Sequence, residues 1–214
     1  MQFRNRTEAG RLLASKLAHY ANCPQGMVLA LPRGGVPVAY EVARALSLPL
    51  DVFIVRKLGV PGQEELAMGA LASGGVRVLN DNVVCSLAIP DETIEQVTSW
   101  ELRELQRREQ AYRGDRLALE VTGLTVILVD DGVATGSTML AALTALRQRG
   151  AARLIAATPV IAEETSQVMS RHVDEVVAVL LPHDLQGVGR WYLDFTQTTD
   201  DQVRELLSAA AAAR

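Results

Sequence analysis

The sequence predicts an α/β fold: a parallel sheet flanked by helices on both faces, with a smaller hood or helical elaboration. Three observations carry the prediction. Short apolar, β-branched runs recur at residues 27–31, 51–55, 124–129, 153–160 and 175–181. Segments of helical period separate most of them, and turns bearing glycine or proline join the two kinds. The runs are mostly apolar and lack regular polar alternation, with charged residues only at their first positions (Asp51, Arg153 and Glu175), which suits strands buried on both sides; repeated strand–helix alternation assembles such strands into a parallel sheet. A length of 214 residues and an apolar fraction of 49% fit one domain, residues 1–214, with a sizeable core.

In chain order, residues 7–22 place Leu12, Leu13, Leu17 and Ala18 at helical spacing after Thr7, a candidate N-cap. A buried strand at 27–31 and a helix at 35–46 follow; Pro49 breaks the pattern, and the run at 51–55 completes a βαβ unit. Residues 57–75, rich in glycine and small side chains and interrupted by Pro61, read as a long connection or flap, not as core structure. A short strand at 76–79 returns from it. Pro90 and Asp91 open a polar stretch, 91–113, whose apolar points Ile94, Val97, Leu102, Leu105 and Tyr112 fit one inserted surface helix. Strands at 124–129, 153–160 and 175–181 then alternate with helices at 137–149 and 163–171. The chain closes with a candidate hood segment, 182–199, carrying Trp191, Tyr192 and Phe195, followed by a helix from Asp200 and an alanine-rich tail.

Composition excludes several classes. A net charge of −4 argues against general nucleic-acid affinity, because neutralising phosphates takes a basic face. Cys23 and Cys85 are too few for a disulfide framework, and neither they nor His19, His172 and His183 have zinc-ligand spacing, so a reducing cytoplasm is the expected setting. No apolar stretch approaches the roughly 20 residues of a membrane span, and residues 1–11 are too charged for a signal sequence.

Function concentrates at residues 126–138, Val-Ile-Leu-Val-Asp-Asp-Gly-Val-Ala-Thr-Gly-Ser-Thr. Four apolar residues make a buried strand, Asp130 and Asp131 stand at its end, and a small-residue turn leads to Ser137 and Thr138, candidate caps of the next helix. Backbone N–H groups of residues 134–138 would face a ligand above the strand, an arrangement that favours phosphate. The two carboxylates are placed to accept hydroxyl hydrogen bonds or to face the water shell of a metal ion. The implied ligand therefore carries phosphate, vicinal hydroxyls and Mg²⁺; the competing reading is an ordinary turn with solvated aspartates.

Loops that follow parallel strands converge on one edge of the sheet, so two other junctions belong beside this one. Leu31-Pro32-Arg33-Gly34-Gly35 offers a guanidinium and backbone amides suited to a diphosphate, or it is a tight turn with a surface arginine. Arg56 and Lys57 follow the second strand, and lysine otherwise occurs only at Lys16.

Residues 126–138 resemble the phosphoribosyl pyrophosphate (PRPP) signature of the type I phosphoribosyltransferases: apolar residues, two acids, a small-residue turn, then Thr-Gly and Ser or Thr. Arg33-Gly34-Gly35 resembles the pyrophosphate loop of that family, in which a cis peptide is frequent, and Arg56-Lys57 resembles an Arg-Lys element near the pyrophosphate. Together with the Val-Gly-x-Trp-Tyr-x-Asp-Phe ending, the pattern resembles the predicted phosphoribosyltransferases of unassigned acceptor, over roughly residues 27–181. The resemblance implies a Mg²⁺-dependent transferase that moves ribose 5-phosphate from PRPP to a nitrogenous base or related acceptor and releases pyrophosphate. It implies PRPP contacts from Arg33, Gly34, Gly35, Arg56, Lys57, Asp130, Asp131, Ala134, Thr135, Gly136, Ser137 and Thr138. Asp130, Asp131, Arg33 and Lys57 form the implied catalytic set, and Asp130 and Asp131 would meet Mg²⁺ through water. Catalysis would rest on charge neutralisation, positioning and water exclusion, with no covalent nucleophile. A homodimer is implied as well.

Two departures bear on the acceptor. Ala134 stands where 6-oxopurine enzymes commonly carry Asp, and the further downstream lysine that some members carry after the Arg-Lys element is absent here. Residues 188–195 resemble the hood segment of purine salvage enzymes, so Trp191 or Tyr192 either stacks on the acceptor or serves as a hydrophobic clasp. A second functional reading is a PRPP- or nucleotide-sensing regulatory protein that keeps the fold without turnover.

Overall fold

The computed structural model describes residues 1–214 except 115, 117, 118 and 214. Its elements, in chain order, begin with α1 (Arg6–Lys16), a short 3-10 turn (Ala18–Tyr20), β1 (Gly26–Ala30), α2 (Gly35–Leu46) and β2 (Leu50–Val52). The hairpin β3 (Val55–Val60) and β4 (Gln63–Ala72), the strand β5 (Val76–Leu79) and the helices α3 (Asp81–Ser86) and α4 (Asp91–Arg113) follow. The chain then alternates through β6 (Thr125–Val129), α5 (Ser137–Gln148), β7 (Arg153–Val160), α6 (Glu163–Met169) and β8 (Glu175–Leu180) to a second 3-10 turn (Val188–Trp191) and α7 (Asp200–Ala212).

Five strands form the parallel sheet that the apolar runs predict, in the order β2-β1-β6-β7-β8. Alternation along each strand divides the core in two. Val28, Ala30, Ile127, Val129, Ile155 and Ala157 face α1, α2, α7 and the Leu105–Tyr112 side of α4, whereas Leu29, Val126, Leu128, Leu154 and Ala156 face α5 and Met169 of α6. Both faces are thus covered, the reason these strands are mostly apolar without regular polar alternation.

Three expectations change. The first helix is capped by Asn5, whose Oδ1 accepts the Glu8 N–H at 3.0 Å, and it ends at Lys16, so 7–22 is a helix plus a 3-10 turn. α3 is a short helix that the sequence reading did not include. Residues 57–75 are not a loose connection: β3, β4 and β5 make a second, antiparallel sheet. Pro61 and Gly62, the latter at φ 80°, turn the hairpin, the residue pair that a type II turn prefers. Leu58, Met68 and Leu71 are fully buried against Ile94 of α4. The small residues of β4 have a strand's reason for being small, since a Cβ on Gly69 would stand 2.5 Å from the Val78 carbonyl oxygen. Among the described residues no helix is long and apolar enough to cross a membrane.

Candidate active site

The strand order reverses between β1 and β6: β2 lies beyond β1 on one side, β7 and β8 beyond β6 on the other. In a parallel sheet the ligand crevice opens at that point, outside the carboxyl ends of the strands. The loops leaving β1 and β6 meet there. A Cβ on Gly34 would lie 2.0 Å from Asp131 Oδ2, and one on Gly35 would lie 2.8 Å from the Val129 carbonyl oxygen. The peptide joining Pro32 to Arg33 is cis.

The two acids differ in environment. Asp130 Oδ1 accepts the Asp131 N–H at 2.8 Å, and burial, then the neighbouring Asp131, push the Asp130 carboxyl well above the usual carboxylate range. Asp130 lines a hollow of about 220 Å³ together with residues 132–139 and Val188. Asp131 is engaged on its other side: Oδ2 lies 2.7 Å from Arg6 Nε, and its carbonyl oxygen accepts the Tyr192 hydroxyl at 2.5 Å.

Helix α5 begins after Gly136, which sits at φ 77°; Ser137 and Thr138, expected as caps, are instead its first two residues, and no side chain caps the helix. Their hydroxyls and that of Thr135 remain exposed, Thr135 Oγ1 standing 3.3 Å from Ser137 Oγ. Among the described residues, none of the backbone N–H groups from 134 to 138 has an intramolecular acceptor. Five donors at a helix start, with that helix's dipole behind them, make a phosphate cradle. Thr165 Oγ1 braces the turn by donating to the Ala134 carbonyl at 2.6 Å.

The other expected site residues lie on the loop after β1 and on β3. Arg33 is half-exposed beside Gly34, its Nη1 3.6 Å from Asp200 Oδ1, and the Tyr112 hydroxyl donates to the same oxygen at 2.7 Å. Gly35 spends its N–H on the Leu31 carbonyl at 3.1 Å, so it contributes close approach and not a donor. Arg56 and Lys57 do not act as a pair, because adjacent residues of a strand point to opposite faces. Lys57 looks toward α5 and shares a groove of about 300 Å³ with Ser137 and Thr138. Arg56 looks toward α4, where its Nε lies 2.6 Å from Glu101 Oε2. Arg56 is thus paired with Glu101 and does not share the groove that Lys57 lines.

The two aromatic residues differ in environment. Tyr192 is 5% exposed, with ring centres of Phe3 and Phe195 at 5.3 and 5.0 Å, and Trp191 Nε1 donates to the Leu185 carbonyl at 3.1 Å. Both residues clasp the chain start to the hood; the Tyr192 ring is enclosed, whereas Trp191 is half-buried and lines a hollow with Gln2, Leu185 and Arg190. Val188 reaches the cradle instead, for a Cβ on Gly132 would fall 2.2 Å from Val188 Cγ1.

The sequence matches the phosphoribosyl transferase domain over residues 4–189, a span that contains both loops and the cradle. The chain belongs to the phosphoribosyl transferase domain family. Two Mycobacterium tuberculosis proteins, from strains CDC 1551 and H37Rv and provisionally named as phosphoribosyl transferases, are 45% identical to it over 208 residues. The match covers 97% of this chain and 47% of theirs, so the chain spans about half the length of the curated relatives it matches. The crystal structure of TT1426 from Thermus thermophilus is similar at 42% identity with a TM-score of 0.84, covering 97% of this chain and 98% of that one.

In this phosphoribosyl transferase domain, sequence reasoning missed Arg6, Tyr112 and Asp200. Each reaches the site from a distant part of the chain, and no local spacing marks them.

Proposed function

We propose that this domain transfers ribose 5-phosphate from PRPP to a nitrogenous base or related acceptor and releases pyrophosphate. The observation that carries the reading is the contact of Gly34 and Gly35 with the Asp130–Asp131 corner at the sheet's switch point, beside a turn with five uncommitted N–H groups. Residues 134–138 hold the 5′-phosphate. Asp130 Oδ2 and Asp131 Oδ1, the oxygens without an internal partner among the described residues, accept the ribose hydroxyls. Arg33, the Gly34 amide and Lys57 take the diphosphate.

As the bond from the ribose carbon to the diphosphate lengthens, positive charge grows on the sugar and negative charge on the leaving group. Asp131 brings its carboxylate to the first side and Arg33 and Lys57 their cations to the second, while Asp130 contributes hydrogen bonding, so developing charge meets opposite charge on both sides. Mg²⁺, when bound, supplies further neutralisation of the diphosphate. The donor set fits contact through water: Asp130 keeps one free carboxylate oxygen, and among the described residues no group of three or more His, Cys, Asp or Glu forms a cage for a metal. The β3–β4 hairpin, with Lys57 on its inner face, is the wall that excludes water. A homodimer in the cytoplasm is part of the same proposal.

The test is pyrophosphate release from Mg-PRPP across purine, pyrimidine and simple amine acceptors, with Asp130→Asn as the blank. Release that depends on an acceptor and vanishes in the variant supports the transferase and identifies its acceptor class. PRPP binding without release for any acceptor would favour the regulatory reading, and no PRPP binding by calorimetry would overturn the transferase and the PRPP-sensing form of the regulator, leaving only a nucleotide sensor.

A further inference from the structure

Arg6 opens α1, yet its side chain belongs to the site. Its Nε lies 2.7 Å from Asp131 Oδ2, its Nη1 donates to the Thr196 carbonyl at 2.7 Å, and its guanidinium carbon stands 4.0 Å from the centre of the Phe195 ring. The Arg6 and Asp131 side chains are only 11% and 14% exposed. A planar fork that bonds two acceptors and stacks on a ring has one orientation, which a lysine cannot reproduce.

That geometry sets which oxygen of Asp131 is offered to a ligand. The carbonyl oxygen of Asp131 is taken by Tyr192, Oδ2 is taken by Arg6 above Gly34, and Oδ1 is the oxygen left over. We infer that Arg6 is a positioning residue for Asp131, holding the carboxylate so that Oδ1 meets a ribose hydroxyl; this rests on the transferase reading above.

A purely mechanical role for Arg6 is redundant. The chain start is already tied to the hood by Phe3 N–H to the Trp191 carbonyl and Leu193 N–H to the Phe3 carbonyl, both 2.8 Å, and by Asp194 N–H to the Arg4 carbonyl at 2.9 Å. Phe3 and Tyr192 pack within the same clasp. None of these ties needs a buried guanidinium on an acid of the site.

The experiment titrates PRPP, ribose 5-phosphate and pyrophosphate into wild type and Arg6→Lys by calorimetry, with Gln2→Ala as a control. Gln2→Ala removes another clasp tie, Gln2 Nε2 to the Arg190 carbonyl, without touching the acids. Arg6→Lys is expected to weaken the two ribose-bearing ligands about tenfold and to leave pyrophosphate within about twofold, while Gln2→Ala leaves all three unchanged. In an Asp131→Asn background the Arg6 substitution should add less than about twofold, because its effect passes through that carboxylate. Should Arg6→Lys fail to fold, Arg6→Gln, which keeps an N–H donor, takes its place in the same titrations. Equal loss for all three ligands, no loss for any, or full additivity with Asp131→Asn overturns the inference while the transferase reading stands. Failure of the wild type to bind PRPP removes the transferase reading, and this inference with it.

Discussion

Gly34 and Asp131 are in contact across the switch point of the sheet: a Cβ on Gly34 would stand 2.0 Å from Asp131 Oδ2 and 2.6 Å from its Cγ. The loop after β1 and the acid after β6 close on each other with no space for a side chain between them. Two motifs that are unrelated in sequence position thereby become one surface.

Gly34→Ala should force these loops apart. An overpacked contact of this kind costs about 1–3 kcal/mol, and the substitution should also abolish PRPP binding. Chemical denaturation and calorimetry on the same preparation check both. A variant as stable as wild type that still binds PRPP would contradict the contact.

Asp130→Asn and Asp131→Asn should move stability in opposite directions. Ionised Asp130 is disfavoured by burial and by Asp131, so a neutral isostere that can still accept the Asp131 N–H relieves the apo protein and raises its melting temperature at neutral pH. Asp131→Asn leaves the nearly buried Arg6 without its counter-charge and should cost on the order of 3 kcal/mol. Both variants should lose PRPP affinity. Thermal melts of the two would refute this if their shifts had the same sign.

Arg33→Ala should weaken PRPP and pyrophosphate more than ribose 5-phosphate, because only the first two carry the diphosphate. Asp200→Asn should do the reverse. Asp200 holds Arg33 at 3.6 Å, and releasing that partly exposed pair should strengthen pyrophosphate binding by up to about threefold. Equal losses for all three ligands in Arg33→Ala would take Arg33 out of the diphosphate role.

Asp174 should shape the acid limb of stability. Its Oδ2 accepts the Leu154 N–H at 2.8 Å and lies 2.9 Å from Arg147 Nη2; the first contact and then the second hold its carboxyl below the ordinary value of 3.8. The native state therefore binds the proton less readily than the unfolded state. The contribution is present above the unfolded pKa and is lost as pH falls through the lower native one. Asp174→Asn should flatten stability across that acid window and cost about 1 kcal/mol near neutrality. Denaturant midpoints measured from pH 2 to 7 test it; a variant curve parallel to wild type would count against the assignment.

The fold was legible wherever local pattern and tertiary environment agree. The apolar runs at β6 and β7 can be satisfied only between two covering layers, and the sheet supplies them. Residues 57–75 misled because glycine, alanine and Pro61 signal a loop locally, whereas β4 uses small residues to approach β5 and Pro61 to turn a hairpin. Arg56 and Lys57 misled for a related reason: adjacency in sequence means opposite faces once the segment is a strand. The enclosure of Tyr192 could not be read locally, because its Phe3 and Phe195 neighbours come from both ends of the chain.

By itself the sequence determined the strand–helix alternation, the acidic corner and its phosphate turn, and the glycines after Arg33, because each is a short-range pattern with a short-range cause. Tertiary structure alone decided that Gly34 lies under Asp131, that Lys57 and not Arg56 faces α5, and that Arg6 holds Asp131 from the far end of the chain. Those are contacts between segments remote in sequence. They are set by strand order, pleat and close packing, which no local spacing encodes.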